Sequence, residues 1–178
     1  MRVISGEYKG RKLAAPADYS IRPTTDKVKE ALFSILADRI WGSKVLDLFS
    51  GTGNLGIEAL SRGAGECVFA DNSRESIKLI KENVNHCKAA SGANIVAGDY
   101  KKVLMTQREP FDIIILDPPY NKGLMDDCFR IIAEQGLLAE DGVIVAEHRK
   151  EEKLPDDFYG FEKEKERKYG IVMLSIYS

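Results

Sequence analysis

From Lys44 onward the chain alternates short apolar runs with longer stretches whose apolar residues recur every three or four positions. VLDLF, ECVFAD, NIVAGD, FDIIILD and GVIVAEH are the apolar runs, and they read as strands. Near-continuous apolar strands belong to a sheet covered on both faces. A helix is expected from Asn54. A second follows a Ser73 cap, with Ile77, Ile80, Val84 and Cys87 on one face, and a third lies around Leu124 to Gln135. Strands alternating with helices pair in parallel through right-handed crossovers. The tail breaks that rhythm. FEKEKERKYG and IVMLSIY read as two strands with no helix between them, an antiparallel hairpin at the sheet edge. The expected fold is α/β, a seven-stranded, doubly wound, Rossmann-like sheet with an antiparallel last strand.

The chain before Lys44 has a different rhythm. RVISGEYKGRKLA reads as two short strands around Gly6 to Gly10, and a polar loop with two prolines follows. Thr24 or Thr25 caps a helix whose Val28, Leu32, Ile35, Leu36 and Ile40 share one face. The expectation is a small hairpin-and-helix extension over residues 1–42 and a sheet domain over residues 43–178.

Charge sharpens that division. The whole chain carries a net charge of −2, which by itself predicts no polyanionic partner. Residues 1–30 hold seven Lys/Arg against four acids, whereas the remainder holds 19 against 24. A basic end on an acidic body points to an anionic partner met at that end, with Arg2, Lys9, Arg11, Lys12 and Arg22 as the residues expected to contact it. A solvated face is the competing reading. Cys67, Cys87 and Cys128 are widely spaced, with only His86 and His148 to complement them. Neither a metal site nor a disulfide framework is expected, and reduced cytoplasmic thiols fit best. No apolar run reaches the roughly 18–20 residues of a membrane span, and no signal-peptide core opens the chain.

The first strand runs directly into S-G-T-G-N-L-G, with glycines at 51, 53 and 56. Open α/β sheets bind nucleotide-like ligands at this position. Asp71 ends the second strand, where a carboxylate can take two ribose hydroxyls. The pattern also fits the GxGxxG of dinucleotide sites, so an NAD-dependent oxidoreductase stays open. Asp47, inside the strand before the loop, repels a pyrophosphate and suits a cationic ligand. Asp99, ending the third strand, can receive an adenine amino group, or can cap a helix instead. Asp47, Gly51, Gly53, Asp71 and Asp99 together suit S-adenosylmethionine, which has an adenosine, an ammonium and a sulfonium but no phosphate.

The fourth strand ends in Asp117-Pro118-Pro119-Tyr120. Two prolines fix φ and remove two backbone donors. Asp117 and the Pro118 carbonyl then form an acceptor pair suited to an exocyclic NH2, and Tyr120 can stack on the base that carries it. The motif resembles the [DNS]PP[YF] of methyltransferases acting on adenine N6, cytosine N4 or guanine N2. Neither the base nor the choice between RNA and DNA follows from these residues alone. A non-catalytic RNA-binding assembly factor of the same fold is the third open reading.

Across nearly its whole length the chain resembles the RsmD family of bacterial 16S ribosomal RNA guanine-N2 methyltransferases. RVISGEYKGRKL, RPTTDKVKEALFSIL, VLDLFSGTGNLGIEALSRGA, LDPPY and the YG at 169–170 carry the resemblance. It implies a class I methyltransferase fold, S-adenosylmethionine as cofactor, and no metal. It implies 16S rRNA, in the small ribosomal subunit or its assembly intermediate, as partner of a monomeric cytoplasmic enzyme. It assigns Asp71 to the ribose, Asp99 to the adenine, Gly51 and Gly53 to the methionine end, and Asp117 to Tyr120 to the guanine. Ser50, Thr52 and Asn54 stand where relatives often carry Ala, Ser and Ala.

Overall fold

The computed structural model describes residues 1–18, 24–120 and 123–178. The elements run α1 (Asp26–Ile35), β1 (Lys44–Asp47), α2 (Asn54–Ser61), β2 (Glu66–Asp71), α3 (Arg74–His86), β3 (Ala93–Ala97), α4 (Tyr100–Thr106), β4 (Phe111–Leu116), α5 (Leu124–Gln135), β5 (Leu138–Arg149), β6 (Asp157–Phe158), β7 (Phe161–Tyr169) and β8 (Val172–Tyr177). The sheet order is β3-β2-β1-β4-β5-β8-β7-β6. β1 to β5 pair in parallel, and β8 runs antiparallel to both β5 and β7. The order reverses at β1, between β2 and β4, and opens a crevice at the carboxyl ends of these strands.

The alternation along each strand sorts the core into two layers. Val45, Ile113, Ile115, Val143 and Val145 join one cluster with Leu32 and Phe33 of α1, Leu55 and Ile57 of α2, and Ile80 of α3. Leu46, Ile114, Leu116, Ile144 and Ala146 join the other, with Leu104 of α4 and Phe129 and Ile132 of α5. This is a sheet covered on both faces, as the apolar runs require.

The sheet has eight strands rather than the expected seven. The addition is the two-residue β6, paired to β7 through Asp157↔Glu162 and Phe158↔Phe161. Phe158 stacks on Phe129 of α5 at 4.2 Å between ring centroids, and the Tyr177 hydroxyl donates to the Pro155 carbonyl at 2.6 Å. A single aromatic anchor draws the segment to the edge, which a pattern of alternating residues cannot reveal. Among the described residues, no helix is long and apolar enough to cross a membrane.

The N-terminal segment forms the expected hairpin and adds contacts to the core. Its two arms pair around one antiparallel bridge, Arg2↔Lys12, with Val3 N–H donating to the Arg11 carbonyl at 3.0 Å and Leu13 N–H to the Met1 carbonyl at 2.9 Å. The segment also directs backbone groups to the core. Ile4 N–H and Ser5 N–H donate to the two carboxylate oxygens of Glu58 at 2.8 and 3.1 Å, and Glu7 N–H donates to the Ser61 carbonyl at 2.8 Å. Asn83 of α3 clamps Ala14 from both sides, accepting its N–H at 2.7 Å and donating to its carbonyl at 3.1 Å. Gly6 lies so close to α2 that a Cβ there would stand 1.9 Å from the Ser61 carbonyl oxygen. Val3 and Leu13 are buried in the first core layer.

Beneath this segment lies a buried ion pair. Lys29 of α1 and Glu58 of α2 are both fully buried, with Nζ 3.1 Å from Oε1. Lys29 Nζ also donates to the Arg2 carbonyl at 2.6 Å and to Asn54 Oδ1 at 2.7 Å. Three acceptors answer the three protons of an ammonium. Desolvation pulls the Lys29 pKa down, and Glu58 opposes that shift. Removing one member of a buried pair leaves an uncompensated charge and costs about 3–5 kcal/mol. Lys29 thus does not contribute to the basic surface that its place in the first 30 residues suggested.

Candidate active site

The crevice at the sheet reversal is a cleft of about 570 Å³. Its walls come from four regions: Thr24, Thr25 and Val28 before and within α1; Asp47, Phe49 to Thr52, Asn54 and Leu55 around the glycine loop; Asp71 to Ser73 after β2; and Asp117 to Tyr120 after β4. Glu147 of β5 and Val172 of β8 close it. The volume matches pockets that hold drug-sized ligands.

Asp47 is buried at the end of β1. Its Oδ2 accepts the Gly56 N–H at 3.0 Å, and Ser50 Oγ donates to its carbonyl at 2.7 Å. Desolvation pushes its carboxyl up to about 7; the Gly56 N–H and Ser50 hydroxyl pull it back, while the Asp71 charge adds to the rise. Gly51 and Gly53 turn the loop in the left-handed conformation, with φ of 60° and 83°. Gly51 lines the cleft, whereas Gly53 faces inward, its missing Cβ directed at Ile57, Ile80 and Phe69. Gly56 is a packing glycine: a Cβ there would meet Phe69 Cε1 at 2.3 Å and Cys67 Sγ at 2.9 Å.

Asp71 stands half-buried at the end of β2. Its Oδ2 accepts the Gly51 N–H at 2.9 Å and its Oδ1 accepts the Ser73 N–H at 3.0 Å. Each carboxylate oxygen keeps a further lone pair for a ligand hydroxyl. Asp71 therefore shapes the loop and can also read a ribose. The same two contacts decide against a pyrophosphate. The Gly51 and Gly56 amides are taken here by Asp71 and Asp47, whose carboxylates would repel a phosphate. The donor set fits a cationic nucleoside.

Asp99 lies elsewhere. It is exposed at the start of α4, where its Oδ1 caps Lys101 N–H at 2.9 Å, and it is not among the residues that line the cleft. The helix-capping role is the one its geometry displays.

On the opposite wall, β4 delivers Asp117 and Tyr120 half-buried, Pro118 buried and Pro119 exposed. The Arg149 guanidinium carbon stands 5.0 Å from the Tyr120 ring centroid. Neither Arg149 nor Glu147 was singled out by sequence. The available signal was an acid and two basic groups interrupting the apolar GVIVA run of β5. Thr24 and Thr25 were read only as caps. Thr25 does cap α1, accepting Val28 N–H at 3.3 Å, but both threonines also line the cleft.

The basic residues divide. Arg2 and Lys12 are exposed on the single bridge, next to Met1, whose sulfur meets the cleft residue Thr52 at 3.3 Å. Arg2 lies 3.5 Å from Asp26. Lys9 is exposed near the turn. Arg11 is half-buried: it donates to the Cys87 carbonyl at 2.7 Å and covers the Tyr8 ring at 5.5 Å. It braces the segment against α3. Arg22 falls outside the described residues. Cys67, Cys87 and Cys128 are free and buried, and no cluster of metal-ligating side chains exists among the described residues.

Comparisons with known proteins agree with this geometry. The family profile described as Conserved hypothetical protein 95 matches residues 1–178. A Bacillus subtilis protein named "Putative rRNA methyltransferase YlbH" is 42% identical, the match covering 99% of this chain and 98% of the relative. The Escherichia coli protein named ribosomal RNA small subunit methyltransferase D is 33% identical over 99% of this chain and 89% of its own length. A hypothetical protein of Thermus thermophilus, of known structure, superposes with a TM-score of 0.84 at 31% identity, covering 99% of this chain and 98% of that one. Full-length likeness at these identities, on a sheet that places the glycine loop opposite DPPY, shows that this chain belongs to the RsmD family.

Proposed function

We propose that this protein is an S-adenosylmethionine-dependent methyltransferase that modifies the exocyclic N2 of a guanine in 16S ribosomal RNA. The carrying observation is the pairing of two unlike walls in one cleft: acids already bonded to loop amides on one side, Asp117-Pro-Pro-Tyr120 on the other. S-adenosylmethionine, when bound, supplies an electrophilic methyl group on a sulfonium. Asp71 offers its outer lone pairs to the ribose hydroxyls. Asp47 offers its remaining oxygen to the cationic end, and its ionised form is the one that attracts it.

Asp117 and the Pro118 carbonyl receive the two protons of the guanine amine. Such an amine is a poor nucleophile because its lone pair is delocalised into the ring. Two acceptors orient it and draw the lone pair toward the methyl carbon. Tyr120 stacks on the base, and the Arg149 guanidinium lies against the Tyr120 ring. Most of the rate then comes from holding amine and methyl at contact distance. A base must leave its stack to enter such a cleft, so a loop or bulge of RNA is the fitting target.

In this reading residues 1–42 serve as an RNA-binding extension of the methyltransferase domain at 43–178. Arg2, Lys9 and Lys12, with Arg22, meet phosphates of the small subunit or its assembly intermediate. The enzyme acts as a cytoplasmic monomer. Calorimetry against S-adenosylmethionine and NAD tests the cofactor. Binding of the first alone is expected, and binding of NAD alone would overturn the reading. Methyl transfer to small-subunit RNA by the parent and by Asp117→Ala then tests the chemistry, with loss of transfer expected in the variant.

A further inference from the structure

Asn54 opens α2 at the floor of the cleft and is 6% exposed. Its amide has a forced orientation. Lys29 Nζ carries only donors, so the Asn54 atom 2.7 Å from it must be the oxygen. The Nδ2 group is thereby turned away from Lys29, and it has no hydrogen-bond partner among the described residues. A buried amide donor without an acceptor carries an uncompensated desolvation penalty, which a ligand acceptor at this position removes.

The surroundings specify the sign of that acceptor. Glu58 is shared by two cations, with Lys29 Nζ at 3.1 Å and Arg62 Nε at 2.9 Å, so the cluster under Asn54 carries a net positive charge. The amides of Asn54 and Leu55 precede the first bond of α2, Ile57 N–H to the Gly53 carbonyl at 2.9 Å, and the helix start adds positive potential. Asp71 makes its own part of the cleft negative. A ligand with a nucleoside at one end and an amino acid at the other would therefore place its carboxylate over Asn54.

We infer that Asn54, held in one orientation by Lys29, is a specificity-determining donor for the α-carboxylate of the cofactor's methionine end. The inference rests on the proposed cofactor and adds a side-chain contact that the glycine loop does not supply. Lys29 is its positioning residue: it fixes which way the amide points without touching the ligand.

The test measures affinity for S-adenosylmethionine and for decarboxylated S-adenosylmethionine, which keeps the ammonium and sulfonium but lacks the carboxylate. The parent is expected to bind the first about tenfold or more tightly. Asn54→Ala is expected to erase that preference by weakening only the carboxylate-bearing compound, and Asn54→Asp, which puts an anion in place of the donor, is expected to erase or reverse it. Asn54→Asp keeps the shape and the contact to Lys29, so it guards against a folding artefact. A preference retained in both variants, or absent from the parent, overturns the assignment. A parent that binds neither compound overturns the cofactor reading itself, and this inference with it.

Discussion

The two walls of the cleft are built in opposite ways. The acids of the glycine-loop wall bond locally, Asp47 to Gly56 and Asp71 to Gly51 across at most 20 residues of separation, while Lys29 and Asn83 brace Asn54 and Thr52 from farther away. The DPPY wall is assembled from distant segments. Tyr120 meets Arg149, Glu147 closes the cleft from β5, Val172 from β8, and Thr24 and Thr25 from before α1. An assembled wall depends on the register of β5 against both β4 and β8. Changes on the first should alter cofactor binding. Changes on the second should alter turnover or RNA binding.

The sharpest contrast is expected at Asp117. Asp117→Ala should lower kcat by on the order of a hundredfold or more, about 2.7 kcal/mol of transition-state stabilisation, while calorimetry finds cofactor affinity almost unchanged. A parallel fall in cofactor affinity would break the division between the walls. On the other side, Asp71→Ala should weaken cofactor binding by on the order of 1.5–3 kcal/mol, because both ribose contacts and the tether on Gly51 are lost. Equal affinity in variant and parent would reduce Asp71 to a solvated strand end.

Asp47 adds a pH signature with two signs. Its carboxyl titrates near 7 in the folded protein against an ordinary 3.8. Between those values the native state holds a proton that the unfolded chain has lost. Stability from this group is therefore greatest below about pH 4, falls as pH rises, and is lost above about 7, a change on the order of a few kcal/mol. Affinity for a cationic cofactor runs the other way and strengthens as pH rises through about 7. Calorimetry and thermal unfolding of parent and Asp47→Asn across that range check both signs, and the variant should flatten both curves.

The smallest effects are expected at the basic segment. Neutralising Arg2, Lys9 and Lys12 together should weaken RNA binding several-fold and flatten its salt dependence, with cofactor affinity intact. Arg11→Ala should instead lower stability by about 1 kcal/mol, since its guanidinium is bonded to the Cys87 carbonyl. An unchanged salt slope in the triple variant would assign the RNA surface to another part of the molecule.

What could be read from sequence follows the same contrast. Local relations were legible: the Ser73 and Thr25 caps, the strand-loop-helix at Gly51 to Gly56, and the parallel order that sets β4 beside β1. Each depends on residues a few positions apart or on crossover handedness. Long-range relations were not legible. Nothing near Lys29 in sequence signals Glu58 or Asn54 as its partners, so a buried ammonium read as one more surface charge. The N-terminal hairpin pairs with itself as its alternation suggests, yet nothing in it signals the further bonds of its backbone to Glu58, Ser61 and Asn83. Gly56 fits a phosphate fingerprint by spacing, but Phe69 and Cys67 leave no room for a side chain there.

The measurement that bears most directly on the whole account is transfer of a tritiated methyl group to undermethylated small ribosomal subunits, followed by nucleoside analysis of the RNA. Membership of the RsmD family, together with the cleft, predicts label in N2-methylguanosine with the parent protein and its loss with Asp117→Ala. Label in N6-methyladenosine, or in a C5-methylated pyrimidine, would contradict the guanine assignment. No transfer to any RNA would contradict the enzyme.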